Sequence, residues 1–267
     1  RVRADTAVLV STSLAAVLSD AVTVSQASDG AFDVTIAPLV AAWGFGPAGA
    51  VTKAPSDIVL AQLRQRVGFS GLRINGRAVS KRHPDMTIDL NGIAPGHSVD
   101  RLSTLLVSLG EPNHFVEVGG EVRARGMNKD GGPFRVGVEA PDSAGRRVQL
   151  TVLLTDRSLS TSGNYRNVRD LNGIRYVHTI DPKTGRPVRH RLLSVSVLHE
   201  RCAMADAWAT ALMVVGPEQG WTLAQANGLD VLFLIAGPGN TVVERMTSGF
   251  AALVERVPQA ANSSEVH

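Results

Sequence analysis

The chain has 267 residues, 44% of them hydrophobic, enough apolar material for one large packed core or two modest ones. Its 27 Lys and Arg against 24 Asp and Glu leave a formal charge of only +3, and aromatic residues make up 4%. That balance excludes a general electrostatic pull on nucleic acid and offers little for stacking bases. The short basic turns "SKRH" and "RPVRHR" read as solvated surface. The single cysteine, Cys202, excludes an intramolecular disulfide and a cysteine-rich metal site, and its setting in "RCAMADAW" reads as a buried, inert thiol. No run of 18 apolar residues occurs, and "RVRADTAVLV" carries neither a full signal-peptide core nor a cleavage signature.

Taken in chain order, Ser11 to Ala27 carries Leu14, Val17, Leu18 and Ala21 at helical spacing before "SDG" stops it. A second helix is expected after "APSD", with Val59, Leu60, Leu63 and Val67 inward and Gly68 at its end. "LRINGRAVSKR" alternates around Asn-Gly, a two-residue hairpin signal. "MTIDL" reads as a short strand. Ser98 to Leu109 reads as an amphipathic helix with Val99, Leu102, Leu105, Leu106 and Leu109 inward and Gly110 as its stop. Strands then dominate: "HFVEVGGEVRARG", "FRVGVEA", "VQLTVLLT", "GIRYVHTID" and "LLSVSVL". The apolar helix "MADAWATALMVVG" follows, then the short helix "PEQGWTLAQAN" and the closing strands "VLFLIA" and "TVVERM". Helices among runs of consecutive strands argue for an α+β fold with mainly antiparallel sheet. Residues 1–252 are expected as one domain, and residues 253–267, which lack apolar periodicity, as a loose tail.

Four stretches combine glycine with Asp, His or Thr. In "SDGAFDVTIAPLV", Gly30 permits a tight turn from which Ala31, Phe32 and Asp33 would present a small residue, a flat ring and an acceptor to a planar ligand. The alternative is a turn in which Asp29 caps a helix and Phe32 enters the core. In "IDLNGIAPGHSVDRL", a strand leads through Gly92 and Gly96 to a helix N-terminus, an arrangement suited to an anion; a plain strand-to-helix turn with Ser98 as N-cap fits equally. His178 stands at a strand end before the turn "DPKTG", where it can accept a proton or meet a phosphate near neutral pH. Finally, Asp206 and Thr210 are four residues apart on one helix face. A carboxylate and a hydroxyl so stacked suit a hard cation such as Mg²⁺, or else an Asp paired with a neighbouring donor and a Thr bonding back along the helix.

Together, "SDGAFDVTIAPLVAAWGFG", "IDLNGIAPGHSVDRL", "FVEVGGEVRARG", "LSTSGNYRN", "YVHTIDPKTGRPV" and "MADAWATALMVVG", in this order from about residue 11 to 250, resemble the ApbE family of FAD:protein FMN transferases. The resemblance implies an enzyme that cleaves the FAD pyrophosphate with Mg²⁺, releases AMP and joins FMN by a phosphoester to a Thr or Ser of an acceptor flavoprotein, a redox-complex subunit. It implies Asp206, Thr210 and the backbone carbonyl of Ala94 as metal ligands, and Ala31, Phe32, Asp33 and Asp89 at the cofactor. It further implies Ser162 and Tyr165 in the "TSGxY" stretch as candidate nucleotide contacts and His178 as the residue that assists catalysis. Pro95 stands where the family usually has Lys, and His97 where it has Tyr, so a ligand contact made by that Lys is absent. The family's "MGT" segment and a polar stretch with an Asn near the flavin would precede residue 1, as would any membrane association. An extracytoplasmic setting, in the periplasm or on the outer face of the cytoplasmic membrane, is the family's usual one. The alternative carried forward is an FAD-binding protein or FAD pyrophosphatase of the same fold without transfer to a protein.

Overall fold

Ser11 accepts the Leu14 N–H through its hydroxyl (3.1 Å) and so starts the first long helix of the computed structural model, which describes residues 3–47, 49–141, 147–165 and 167–255. In chain order the elements are β1 (Val8–Leu9), α1 (Thr12–Ala27), α2 (Ala37–Ala42), α3 (Asp57–Arg64), β2 (Leu72–Asn75), β3 (Ala78–Lys81) and α4 (Ala94–Ser108). A run of strands follows: β4 (His114–Val118), β5 (Glu121–Arg125), β6 (Phe134–Glu139), β7 (Val148–Leu154), β8 (Ser158–Gly163), β9 (Val168–Leu171), β10 (Ile174–Val177), β11 (Ile180–Asp181), β12 (Arg186–Pro187) and β13 (Leu192–His199). The chain closes with α5 (Cys202–Ala226), β14 (Asp230–Ala236), β15 (Val242–Met246), α6 (Ser248–Ala251) and β16 (Val254–Glu255). The recorded strand pairs are all antiparallel, in keeping with the α+β expectation.

A six-stranded sheet, ordered β15-β14-β13-β8-β5-β4, organises the molecule. Alternation sends Val122, Leu159, Leu198, Leu232 and Leu234 to one face, where they meet Val138, Leu150, Val152 and Leu154 of the β6-β7 pair and Phe250. The opposite face receives α5. On β13 and β14 that face is apolar, with Val195, Val197, Val231 and Phe233 against the helix. On β8 and β5 it is polar, because Ser158, Ser160, Ser162, Glu121 and Arg123 hold the same parity. A helix gains 1.5 Å per residue and a strand about 3.3 Å, so every fourth position of α5 keeps step with every second position of β8. Cys202, Asp206 and Thr210 therefore run alongside Ser158, Ser160 and Ser162.

Helices α4 and α5 are fastened end to side. Arg201 opens α5 without a side-chain cap, and Asp100 of α4 takes that role, accepting the N–H of Cys202 (2.9 Å) and of Ala203 (3.0 Å). The close approach needs Gly96, where a Cβ would stand 2.7 Å from the Cys202 carbonyl carbon. This contact explains one failed expectation. The buried face of α4 is Gly96, Val99 and Ser103, whereas Leu102, Leu105 and Leu109 are exposed. Val99 and Leu106 pack inward as expected, but the rest of the stripe fails because small residues, not leucines, face the neighbouring helix.

Other boundaries shift for local reasons. α4 begins at Ala94, with Pro95 in its first turn, so Ser98 is inside the helix. Gly110 does end it, at φ +86°, with Glu111 N–H bonding Leu106 O and Gly110 N–H bonding Val107 O. The hairpin turn is Gly76-Arg77 rather than Asn75-Gly76, with positive φ at Gly76. "MTIDL" forms no strand, being pinned instead through Asp89 N–H to Val34 O. Val59 is exposed, and Val67 is buried beyond the end of α3. At the C-terminus, Val254 and Glu255 pair with β7 instead of starting a loose tail, and the rest of that tail lies outside the described residues.

Candidate active site

The polar half of the sheet face and the N-terminus of α4 enclose Asp206. Its side chain is buried, and among the described residues one hydrogen bond reaches it, from the Gly96 N–H to Oδ2 (3.1 Å). Among the described residues no basic side chain pairs with it. Burial therefore pushes its pKa up to about 8, and the nearby Glu121 charge adds to the rise. Glu121, at the start of β5 after the Gly119-Gly120 turn, is raised by burial to about 7. Sequence reasoning passed over Glu121; the signal available was an acid directly after a Gly-Gly turn inside a matched motif.

One turn along α5, Thr210 Oγ1 lies 3.4 Å from Ser162 Oγ of β8. Gly92 approaches from the other side: a Cβ there would sit 2.8 Å from Thr210 Oγ1 and 3.2 Å from the Phe32 ring. Asp206, Thr210, Ser162, Gly92, Gly96 and Phe32 thus converge on one spot. The Ala94 carbonyl, expected as a metal ligand, lies in the first turn of α4 and accepts the Ser98 hydroxyl at 2.8 Å. A helical carbonyl points along the axis toward its i+4 donor. The main chain brought against Thr210 is that of Gly92, whose carbonyl accepts no hydrogen bond among the described residues.

Ala31, Phe32 and Asp33 are buried just behind this spot, and Phe32 belongs to the main apolar core. The Asp33 carboxylate is engaged within the fold: Oδ1 accepts the Thr35 N–H (2.8 Å) and hydroxyl (2.6 Å), and Oδ2 accepts the Phe69 N–H (2.8 Å). Asp89 Oδ1 takes the Asn91 N–H (2.9 Å) and fixes the turn leading to Gly92. Asp29 caps no helix; it meets Lys183 of the "DPKTG" turn at 2.5 Å, tying the first motif to the fifth. The Tyr165 ring lies against Gly163 and its hydroxyl is 3.5 Å from Glu139 Oε2.

His178 follows β10, half-buried, with Nδ1 3.3 Å from the Asn167 carbonyl oxygen. A carbonyl can only accept, so Nδ1 carries the proton and Nε2 is left as acceptor. Burial lowers the imidazole pKa, keeping the ring neutral near pH 7. Adjacent Thr179 donates to Asn164 Oδ1 (2.6 Å), and Asn164 Nδ2 reaches Met213 Sδ on α5 (3.1 Å). That chain couples the histidine loop to the helix bearing Asp206 and Thr210.

The donor set around Asp206 is oxygen only: a carboxylate, a hydroxyl and main chain, with the Glu121 carboxylate close by. Among the described residues no group of three or more His, Cys, Asp or Glu gathers as a ligand cluster. A buried carboxylate lacking a cation, with few protein oxygens beside it, fits a hard divalent ion that fills its shell with phosphate and water. Cys202 is buried, its thiol 3.5 Å from the Val122 carbonyl and its pKa pushed up by burial.

Comparison with known proteins agrees with this architecture. The family model described as "ApbE family" matches residues 1–233. The FAD:protein FMN transferase of Vibrio cholerae is 42% identical over 226 residues, spanning 85% of this chain and 68% of that protein. The enzyme of the same name from Escherichia coli K12 is 35% identical over 249 residues, spanning 92% of this chain and 71% of its own. Among solved structures, the flavin transferase ApbE from Vibrio cholerae superposes with a TM-score of 0.86 at 39% identity, covering 94% of this chain and 80% of that one. The apo flavinyl transferase ApbE of Pseudomonas stutzeri does so at 0.84 and 36% identity, covering 94% and 78%. The chain belongs to the ApbE family.

Proposed function

We propose that the protein is an FAD:protein FMN transferase, using Mg²⁺ to move FMN from FAD onto a Thr or Ser hydroxyl of an acceptor flavoprotein. The observation that carries the reading is Asp206, a buried carboxylate without a cation, set against Thr210 and Gly92. The names of relatives at up to 42% identity support the same activity.

Asp206 and Thr210 would hold the divalent ion, with a main-chain carbonyl of the segment from Gly92 to Ala94 as the third protein oxygen. When bound, the ion neutralises charge on the diphosphate and on the departing AMP. Phe32, buried with its ring edge at Gly92, forms the apolar wall for the flavin, and Asp33 and Asp89 hold the turns that place this wall. In the transfer step the acceptor hydroxyl oxygen forms a bond to the FMN phosphorus, and the bond from that phosphorus to the bridging oxygen breaks. His178 Nε2 accepts the hydroxyl proton, and AMP leaves with the bridging oxygen.

The test combines protein, FAD, Mg²⁺ and a flavin-acceptor domain, read by intact mass. The expected result is an acceptor heavier by one FMN, with AMP released and no adduct in EDTA. Free FMN plus AMP without an adduct would replace transfer by hydrolysis.

A further inference from the structure

Arg169 of β9 lies directly across from Tyr176 of β10, so both side chains leave the hairpin on one face, the face that continues to His178. The Arg169 guanidinium covers the Phe45 ring, 5.4 Å from its centroid. The same ring meets the His178 imidazole edge-on at 6.3 Å between centroids. One phenyl group thus spaces a fixed cation from the imidazole that takes the proton.

The Arg169 Nε is sealed from solvent, and among the described residues it has no hydrogen-bond partner and the guanidinium makes no ion pair. Neighbouring Asp170 does not serve it; as the next residue along the strand it faces the other way, and its Oδ1 accepts the Gly173 N–H at 2.9 Å. A buried donor on a charged group is costly to leave open, and the aromatic face offsets only part of that cost. A planar fork of N–H donors matches a carboxylate or a phosphate.

We propose that Arg169 binds an oxyanion that one of the two substrates brings beside His178, either a phosphate of FAD or a carboxylate on the acceptor's flavinylated segment. This rests on the reading of His178 given above, and adds a binding residue that lies in none of the motif positions assigned to ligand or metal.

The experiment compares Arg169→Met and Arg169→Lys with the wild type. FAD dissociation constants are measured by flavin fluorescence in EDTA, where no turnover occurs, and the KM for the acceptor domain is measured with Mg²⁺. A phosphate ligand raises the FAD dissociation constant of Arg169→Met tenfold or more. An acceptor carboxylate leaves that constant unchanged and raises the acceptor KM tenfold or more, with kcat within twofold. In either case Arg169→Lys, which keeps the charge but not the planar fork, recovers part of the loss. If both quantities stay within twofold in Arg169→Met, or if Arg169→Lys is as impaired as Arg169→Met, the proposal is overturned. Should the wild type yield no covalent adduct, the transferase reading fails separately and the FAD measurement alone decides the role of Arg169.

Discussion

The Asp206 carboxylate on α5 accepts the N–H of Gly96 on α4 at 3.1 Å, while Asp100 of α4 accepts two N–H groups at the start of α5. Each helix thus supplies an acid to the N-terminal turn of the other, and the candidate metal ligand is also part of the joint. Both ends are favoured by the positive pole of the helix dipole.

Replacing Gly96 should break this joint. A Cβ at that position would collide with the carbonyl oxygen of Cys202 and stand 2.9 Å from the Ala203 Cα, both parts of a helix backbone that cannot swing away. Gly96→Ala should cost about 1–3 kcal/mol, the usual range for overpacking, or several degrees of Tm in a chain of this size. It should also weaken Mn²⁺ binding as Asp206 moves. Thermal melts and Mn²⁺ titration by electron paramagnetic resonance check both outcomes; an unchanged Tm would show that α4 and α5 can separate without penalty.

Asp206 predicts a pH dependence of definite sign. Its folded pKa of about 8 lies above the ordinary carboxylate value of 3.8, so between these limits the folded protein keeps a proton that the unfolded chain has released. Stability of the metal-free protein should therefore fall as pH rises across that window. Asp206→Asn should flatten the slope and stabilise the metal-free protein at pH 8 and above by roughly 1–3 kcal/mol. Mg²⁺ should raise the Tm of the wild type but not of Asp206→Asn, and below pH 8 its binding should release a proton. Calorimetric titration in two buffers of different ionisation enthalpy measures that proton directly.

How much of this was visible in the residues alone follows from how each part is held together. Asp206 and Thr210 were legible because both sit on one element, where the spacing of four settles which side chains share a face. Glu121, Ser158 and Ser160 were not, and Ser162 was named only through the family resemblance, because "SLSTSG" has neither apolar alternation nor bulk. Its strand character comes from β13 and β5 on either side. The buried stripe of α4 was assigned correctly only at Val99 and Leu106, for the related reason that glycine and serine mark a close helix contact while carrying no hydrophobic signal. The Ala94 carbonyl was expected as a ligand from the family resemblance alone; the start of α4, expected at Ser98, lies four residues earlier, at Ala94 itself. Partnerships between distant segments, such as Asp29 with Lys183, are set by the fold and leave no local trace.

Gly92 offers a substitution that separates binding from stability. A Cβ there would occupy space 2.8 Å from the Thr210 hydroxyl and 3.2 Å from the Phe32 ring, both part of the candidate site. The residue lies in a turn and outside the positive-φ glycines, so alanine is allowed by the backbone. Gly92→Ala should lower Mg²⁺ and FAD affinity at least tenfold while moving the Tm by no more than a few degrees. Retention of both affinities would remove this turn from the site.

His178 carries the last prediction. Burial holds its pKa below the ordinary value of 6.5, so the neutral imidazole prevails near pH 7 and Nε2 can take a proton. The acid limb of kcat for transfer should accordingly lie below pH 6.5, where the ring acquires its charge and loses its acceptor. His178→Gln should remove that limb and lower kcat by about 10²- to 10⁴-fold, the usual worth of general base catalysis. FAD affinity should stay within a few-fold, because the ring makes its recorded contacts with Asn167 and Phe45, within the protein. The check is a pH–rate profile of adduct formation for both proteins beside their FAD titrations. An acid limb that persists in His178→Gln would assign the titrating group elsewhere, with Glu121, raised to about 7, as the next residue to replace.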